Sequence, residues 1–217
     1  MRNYFIPVAV AFAAMFISSC NNDELEPTTT AFGKGTAQAM IGGAKKQINW
    51  VQLWKDGPKF AEFNVGATAI DDYGGLYAWG GLYNLGGDDY YTGEGPLPAN
   101  RDVATQKWGA NWRMPTYDEM NDLINNCTVQ STARYGKGLI FIGKGDYNEN
   151  SIFLPAAGVY ASNGNYYEAI GQDGLYWISD YSGGALGFRI NLTTGYHHIS
   201  MGGQGHRTCC SVRAVLK

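Results

Sequence analysis

The sequence predicts a single α+β domain, with helices in its first half and antiparallel strands in its second. Three observations lead there. Two segments between Asp102 and Cys127 carry helix start and stop signals. From Gly138 onward, short apolar and aromatic runs alternate with glycine-containing turns. No internal repeat or second regime of composition divides the chain.

Taken in order, residues 20–45 read as a tether. Thr28-Thr29-Thr30, Gly33, Gly35, Gly42 and Gly43 carry no sustained period. Gln47–Trp54 and Lys59–Val65 form an expected strand pair around the Asp56-Gly57-Pro58 turn. Gly75–Trp79 is a third short run, and Gly86–Asn100 is a long excursion without period. Asp102 caps a short helix that ends at Trp108, with Gly109 just past its end. Thr116 and Glu119 form a capping box after Pro115, and Met120, Leu123, Ile124 and Cys127 then fall on one helical stripe. Strands are expected over Gly138–Gly143, Ser151–Pro155, Leu175–Ser179, Leu186–Leu192, Tyr196–Ser200 and Ser211–Val215. Lys144–Asn150 reads as a polar loop. In the last strand Val212 and Ala214 share one face, opposite Ser211, Arg213 and Val215.

The first twenty residues give an address. Arg2 precedes an apolar run from Phe5 to Ile17, closed by Ser18, Ser19 and Cys20. The run is too short to span a hydrocarbon layer about 30 Å thick. It looks like a bacterial lipoprotein signal peptide over residues 1–19, which implies acylation of Cys20 and anchoring to outer-membrane lipid. An ordinary secretory signal is the weaker alternative, because no Ala-x-Ala site is present. The acidic cluster Asp23, Glu24 and Glu26 beside the anchor resembles the surface-export signal of Bacteroidetes lipoproteins and implies display at the cell surface. Without Arg2 the 16 Lys and Arg become 15 against 19 Asp and Glu, a net charge of −4. Lys45-Lys46 is the one adjacent basic pair, so a nucleic-acid partner is not expected.

Five ordered blocks carry a family resemblance. They are Asn64-Val65-Gly66-Ala67-Thr68, Asp72-Tyr73-Gly74-Gly75-Leu76-Tyr77-Ala78-Trp79-Gly80, Trp108 to Thr116, Ile152 to Gly158, and Ser211 to Val215. Together they resemble the Fibrobacter succinogenes major paralogous domain, placed here at 46–217. That family is similar to the C-type-lectin-like superfamily, which includes the formylglycine-generating enzymes. The resemblance implies two helices packed on a twisted antiparallel sheet with long irregular loops. It also implies a ligand face in the C-terminal half.

The chemistry is weighed on the same residues. Formylglycine-generating enzymes hold copper with two cysteines a few residues apart, whereas Cys209 and Cys210 adjoin and splay apart on a strand. His197 and His198 likewise cannot share one strand face, so no metal site is expected from them. None of the calcium-binding triplets of C-type lectins occurs, although Asp71-Asp72 and Asp88-Asp89 leave calcium open. Glu119, Arg113, Pro115 and Thr116 read as structural. An odd cysteine count outside the lipid site leaves two readings: a bridge from Cys127 to Cys209 or Cys210, or buried free thiols. The region from Tyr160 to His206 is rich in Tyr, Asn, Ser and Gly, the composition of binding loops. Tyr166, Tyr167, Tyr181, Asn191, Tyr196 and His198 are the expected ligand residues. The expectation is a non-catalytic binding domain, without a cofactor, for a glycan or protein. The alternatives are an envelope assembly lipoprotein and a formylglycine-generating-enzyme-like oxidase.

Overall fold

The computed structural model describes residues 29–132, 134–161, 166–167, 169–192 and 198–217. The signal peptide, Cys20 and the first part of the tether lie outside the described residues. Strands β1 (Thr29–Ala31), β2 (Lys34–Ile41), β3 (Ala44–Gln52) and β4 (Lys59–Ala61) come first. Helix α1 (Val103–Trp108), β5 (Trp112–Arg113), helix α2 (Tyr117–Asn126) and β6 (Thr128–Ser131) follow. Then come β7 (Gly138–Ile142), β8 (Ser151–Pro155), β9 (Val159–Tyr160) and β10 (Tyr166–Tyr167). The chain closes with β11 (Asp173–Tyr181), β12 (Ala185–Asn191), β13 (His198–Gln204) and β14 (Val215–Leu216).

The strands assemble antiparallel into a six-stranded sheet in the order β1-β2-β3-β4-β14-β5, two three-stranded sheets, β6-β7-β8 and β11-β12-β13, and the β9-β10 pair. With two α-helices beside these sheets, the molecule is α+β. The last strand threads between β4 and β5, Val215 lying opposite both Phe60 and Arg113. The first described strand and the last therefore share one sheet.

Both helices form for the local reasons written in the sequence. Asp102 accepts from Thr105 N at α1, and Gly109 ends that helix at φ 102°, where a side chain would be strained. Thr116 and Glu119 make the reciprocal capping box at α2, which turns Met120 and Leu123 into the core. Cys127 is the C-cap residue, just past the helix, and packs in the same apolar cluster as Met120 and Leu123.

Two apolar clusters make the core. Trp50, Trp79, Trp108, Trp112 and Trp177 anchor one, and Phe60, Leu123, Phe141, Tyr176 and Phe188 anchor the other. Two segments separate them by period-2 alternation. Along β11, Leu175 and Trp177 enter the first cluster, Tyr176 and Ile178 the second. Along the closing segment, Cys210, Val212 and Ala214 enter the first and Val215 the second.

Three expectations are corrected. The tether does not extend to residue 45: β2 and β3 form a hairpin whose Gly35, Ala37 and Ala39 are buried beside α1. Its Gly42-Gly43 turn takes φ 61° and 80°, the left-handed pair that a two-residue hairpin loop requires. Gly75–Trp79 is no strand but a stretch with an isolated bridge, Tyr77 to Cys210. The strand expected over Ser211–Val215 is reduced to Val215–Leu216 plus a parallel bridge from Ser211 to Tyr176. The Lys144–Asn150 loop holds a short 3-10 turn at Gly145–Tyr147.

Candidate ligand-binding site

The site begins with a tight turn. After β13, Thr208 N donates to Gly205 O at 2.8 Å, and the chain then bridges from Cys209 to Tyr160 and from Cys210 to Tyr77. The turn delivers His206 and Arg207 onto the long loop between β4 and α1. Trp79 N donates to His206 O at 2.9 Å, and Trp79 Nε1 donates to Ile178 O at 3.1 Å. Trp79 is thereby fixed as a fully buried floor, with its ring centroid 5.3 Å from that of His206.

Above this floor three part-exposed rings have nearly parallel planes. Tyr181, the last residue of β11, lies 6.1 Å from His206 with 5° between planes. Tyr90 lies 6.4 Å from His206 with 9° between planes. These spacings match offset rather than face-to-face packing. The Arg207 guanidinium sits 5.0 Å over the Tyr90 ring, donates to Tyr90 Oη at 3.3 Å and pairs with Asp88 at 3.6 Å.

The loop that carries Tyr90 is pinned at several points. Asp89 accepts from Leu82 N and from Arg101, each at 2.8 Å, and these bonds outweigh burial to hold its carboxyl below the usual range. Leu97 N donates to Ser179 O at 2.8 Å, tying the loop to β11. A Cβ on Gly81 would meet Asp89 O at 2.1 Å, so only glycine lets the loop fold back on itself here.

The expected ligand residues do not form one site. Tyr181 belongs to the aromatic patch. Asn191 lies opposite Asp173 at the other end of the β11-β12 pair, while Tyr181 lies opposite Ala185. Eight strand residues put those ends roughly 25 Å apart. Asp173 is buried, accepting from Arg189 at 2.6 Å and from Asn191 Nδ2. Arg189 and Asp173 line a cavity of about 260 Å³ with Leu175, Gln204 and Thr208. The 204–208 turn thus serves both the aromatic patch and this cavity. Tyr166 and Tyr167 supply β10, and His198 opens β13 opposite Asn191. Tyr196 and His197 lie outside the described residues.

Of the two cysteine readings, the structure has the buried free thiols and not the bridge from Cys127: Cys127, Cys209 and Cys210 are all free and buried. Cys127 ends α2 in the second apolar cluster, and Cys210 faces the first. Burial pushes the Cys127 thiol up to about 12, Cys209 to about 11 and Cys210 well above its usual value. These are protonated thiols at neutral pH, the opposite of an activated thiolate.

Arg113 makes a two-pronged pair with Glu119, at 2.6 and 2.7 Å. Arg213 is fully buried and donates to Asn64 Oδ1 and to the backbone carbonyls of Ala61, Glu62 and Phe153. Among the described residues no His, Cys, Asp and Glu cluster is arranged to hold a metal. Asp72 accepts from Thr68 N and Gly74 N, and Asp89 is committed to Leu82 and Arg101.

The patch was missed because its members are far apart in sequence. Tyr90 comes from the excursion without period, Trp79 from the short run before it, and His206 from a turn more than a hundred residues further on. No protein family, curated protein or solved structure matches the chain.

Proposed function

We propose that the chain is a lipid-anchored outer-membrane surface protein whose body is a C-type-lectin-like, non-catalytic binding domain for a glycan. The observation that carries the binding reading is the set of parallel, part-exposed rings of Tyr90, His206 and Tyr181 on the Trp79 floor. Parallel rings at steps of about 6 Å suit the apolar faces of successive sugar rings, and Arg207, Asp88 and Tyr90 Oη add polar groups for hydroxyls at one end. The pinned loop and the two-cluster core hold these rings in place, which limits the entropy lost on binding.

The ordered sequence blocks and the α+β architecture support the family reading, and the stretch from Arg2 to Cys20 supports the anchor. A glycan array with the full-length chain tests the site. Tyr90→Ala with Tyr181→Ala should lower affinity for the bound glycan by about tenfold or more, the scale of one or two lost aromatic contacts. Retained affinity in that variant overturns the glycan reading, as does an array without hits beside a captured surface protein. Palmitate labelling that is unchanged by Cys20→Ser overturns the anchor.

A further inference from the structure

A second concave site lies elsewhere on the molecule. The Lys34–Gly35 stretch of β2, the 49–51 stretch of β3, Glu62, the start of β8, Ile70 and Tyr135 line a cleft of about 350 Å³, within the size range of small-molecule sites. None of the residues lining it belongs to the aromatic patch. Its apolar wall includes Val51, Ile152 and Phe153, with the Tyr135 ring 5.5 Å from that of Phe153.

The walls are joined from behind. Arg213 Nη1 donates to Ala61 O and Glu62 O, and Arg213 Nη2 donates to Phe153 O at 2.8 Å. One buried guanidinium therefore holds the Glu62 wall to the β8 wall, so the cleft is preformed.

Two charged residues line it, Lys34 and Glu62, and they differ in what they have left to offer. Both Glu62 carboxylate oxygens face donors of Asn49, at 3.0 and 3.4 Å. Lys34 Nζ donates to the Glu149 carbonyl at 2.8 Å, which engages one of its three N–H groups. Ser151 and Tyr135 bring hydroxyl donors to the same rim. Two further cations stand close behind the walls: Arg213, and Arg134 with its guanidinium 5.1 Å over the Tyr135 ring. The lining charges of Lys34 and Glu62 balance; with each Glu62 oxygen already accepting from Asn49 and the Arg213 and Arg134 cations behind the walls, the spare Lys34 and hydroxyl donors favour an anion with an apolar body.

We infer that this cleft binds a small carboxylate carrying an aromatic or aliphatic group. The carboxylate meets Lys34 and the rim hydroxyls, and the apolar part lies on Val51, Ile152 and Phe153. The site is independent of the glycan patch.

The test is isothermal titration of the full-length chain in mild detergent at neutral pH. The probes are hydrocinnamate, the corresponding alcohol and the corresponding amine. Hydrocinnamate should bind about tenfold more tightly than either, the scale of one charge-assisted hydrogen bond. Lys34→Gln should weaken it several-fold. Glu62→Gln keeps an acceptor for Asn49 while removing the negative wall charge, so it should tighten binding; a gain of affinity cannot come from misfolding. Tyr181→Ala should leave the titration unchanged. Equal binding of the alcohol, preference for the amine, or no binding of any probe overturns the inference. So does a Glu62→Gln variant that binds hydrocinnamate no better than the parent.

Discussion

Replacing Arg213 by Met should destabilise the protein by about 4 kcal/mol. The guanidinium is fully buried, and its five N–H groups make five hydrogen bonds: two to Asn64 Oδ1 and one each to Ala61 O, Glu62 O and Phe153 O. Burial lowers its pKa from the usual arginine value to about 10, a cost to the cation of about 3 kcal/mol. Hydrogen bonds from a charged donor contribute about 1.5–3 kcal/mol each, so five at the lower figure outweigh that cost by about 4 kcal/mol. Met fills similar space but donates nothing, leaving the acceptors without these donors. Lys keeps the charge but has three N–H groups and should lose about half as much. Chemical denaturation of the folded domain measures both, and the expected fall in Tm for Met is about 8–16 °C. Because the folded-state pKa is lowered, the cost of the cation is fully present below pH 10 and falls only as pH rises above it. An Arg213→Met variant within about 1 kcal/mol of the parent at an unchanged denaturant slope refutes the claim that this guanidinium ties the walls together.

Other consequences can be checked in the same material. With Cys20 replaced by Ser, a thiol reagent should label Cys127, Cys209 and Cys210 only after unfolding, since all three are buried and protonated; labelling of the native protein contradicts the assigned core. Thr116→Ala removes the α2 cap and should cost about 1 kcal/mol in urea unfolding. Burial alone would raise the Glu119 carboxyl, but the Arg113 and Thr116 hydrogen bonds outweigh it and set it below the ordinary value. Its contribution is therefore complete above the ordinary glutamate pKa and is lost as pH falls through the lowered one, so the stability gap to Glu119→Gln should close in acid. Gly66→Ala should cost about 2 kcal/mol or more in the same assay. Gly66 has φ 87°, and a Cβ there would meet Gly75 N and Tyr77 Oη at 2.8 Å.

How much was legible in the sequence followed from where each signal sat. The helices were legible because caps are local: Asp102, Gly109, Thr116 and Glu119 act within one turn of themselves. The β2-β3 hairpin was not, because Gly35, Ala37 and Ala39 bury almost no apolar side chain and so leave no period to read. The closing strand showed the right alternation and the wrong extent: both of its faces are covered, and backbone bonds from Ala61, Val65 and Tyr77 replace a regular ladder. Composition pointed to the C-terminal half for binding, and Tyr181 was among the residues named. It could not show that Tyr90 arrives from more than a hundred residues upstream of His206.

The sequence blocks that carry the family resemblance meet inside the molecule rather than at the aromatic patch. Asn64 and Phe153 accept from Arg213; Tyr77 O accepts from Trp177 Nε1 at 2.7 Å; Met114 N donates to the buried Asp102 at 2.8 Å. These blocks therefore specify a frame of buried hydrogen bonds between distant segments. The segments that build the patch, 82–98, 180–184 and 205–208, lie outside the blocks apart from the Trp79 floor. They are tied to the frame at separate points, among them Tyr91 to Trp79, Leu97 to Ser179 and Trp79 to His206. A frame of this kind can keep its core while the rings and charges on those segments are exchanged, so a relative that kept the Arg213 node but lost Tyr90, Tyr181 and His206 would share the fold without the proposed site.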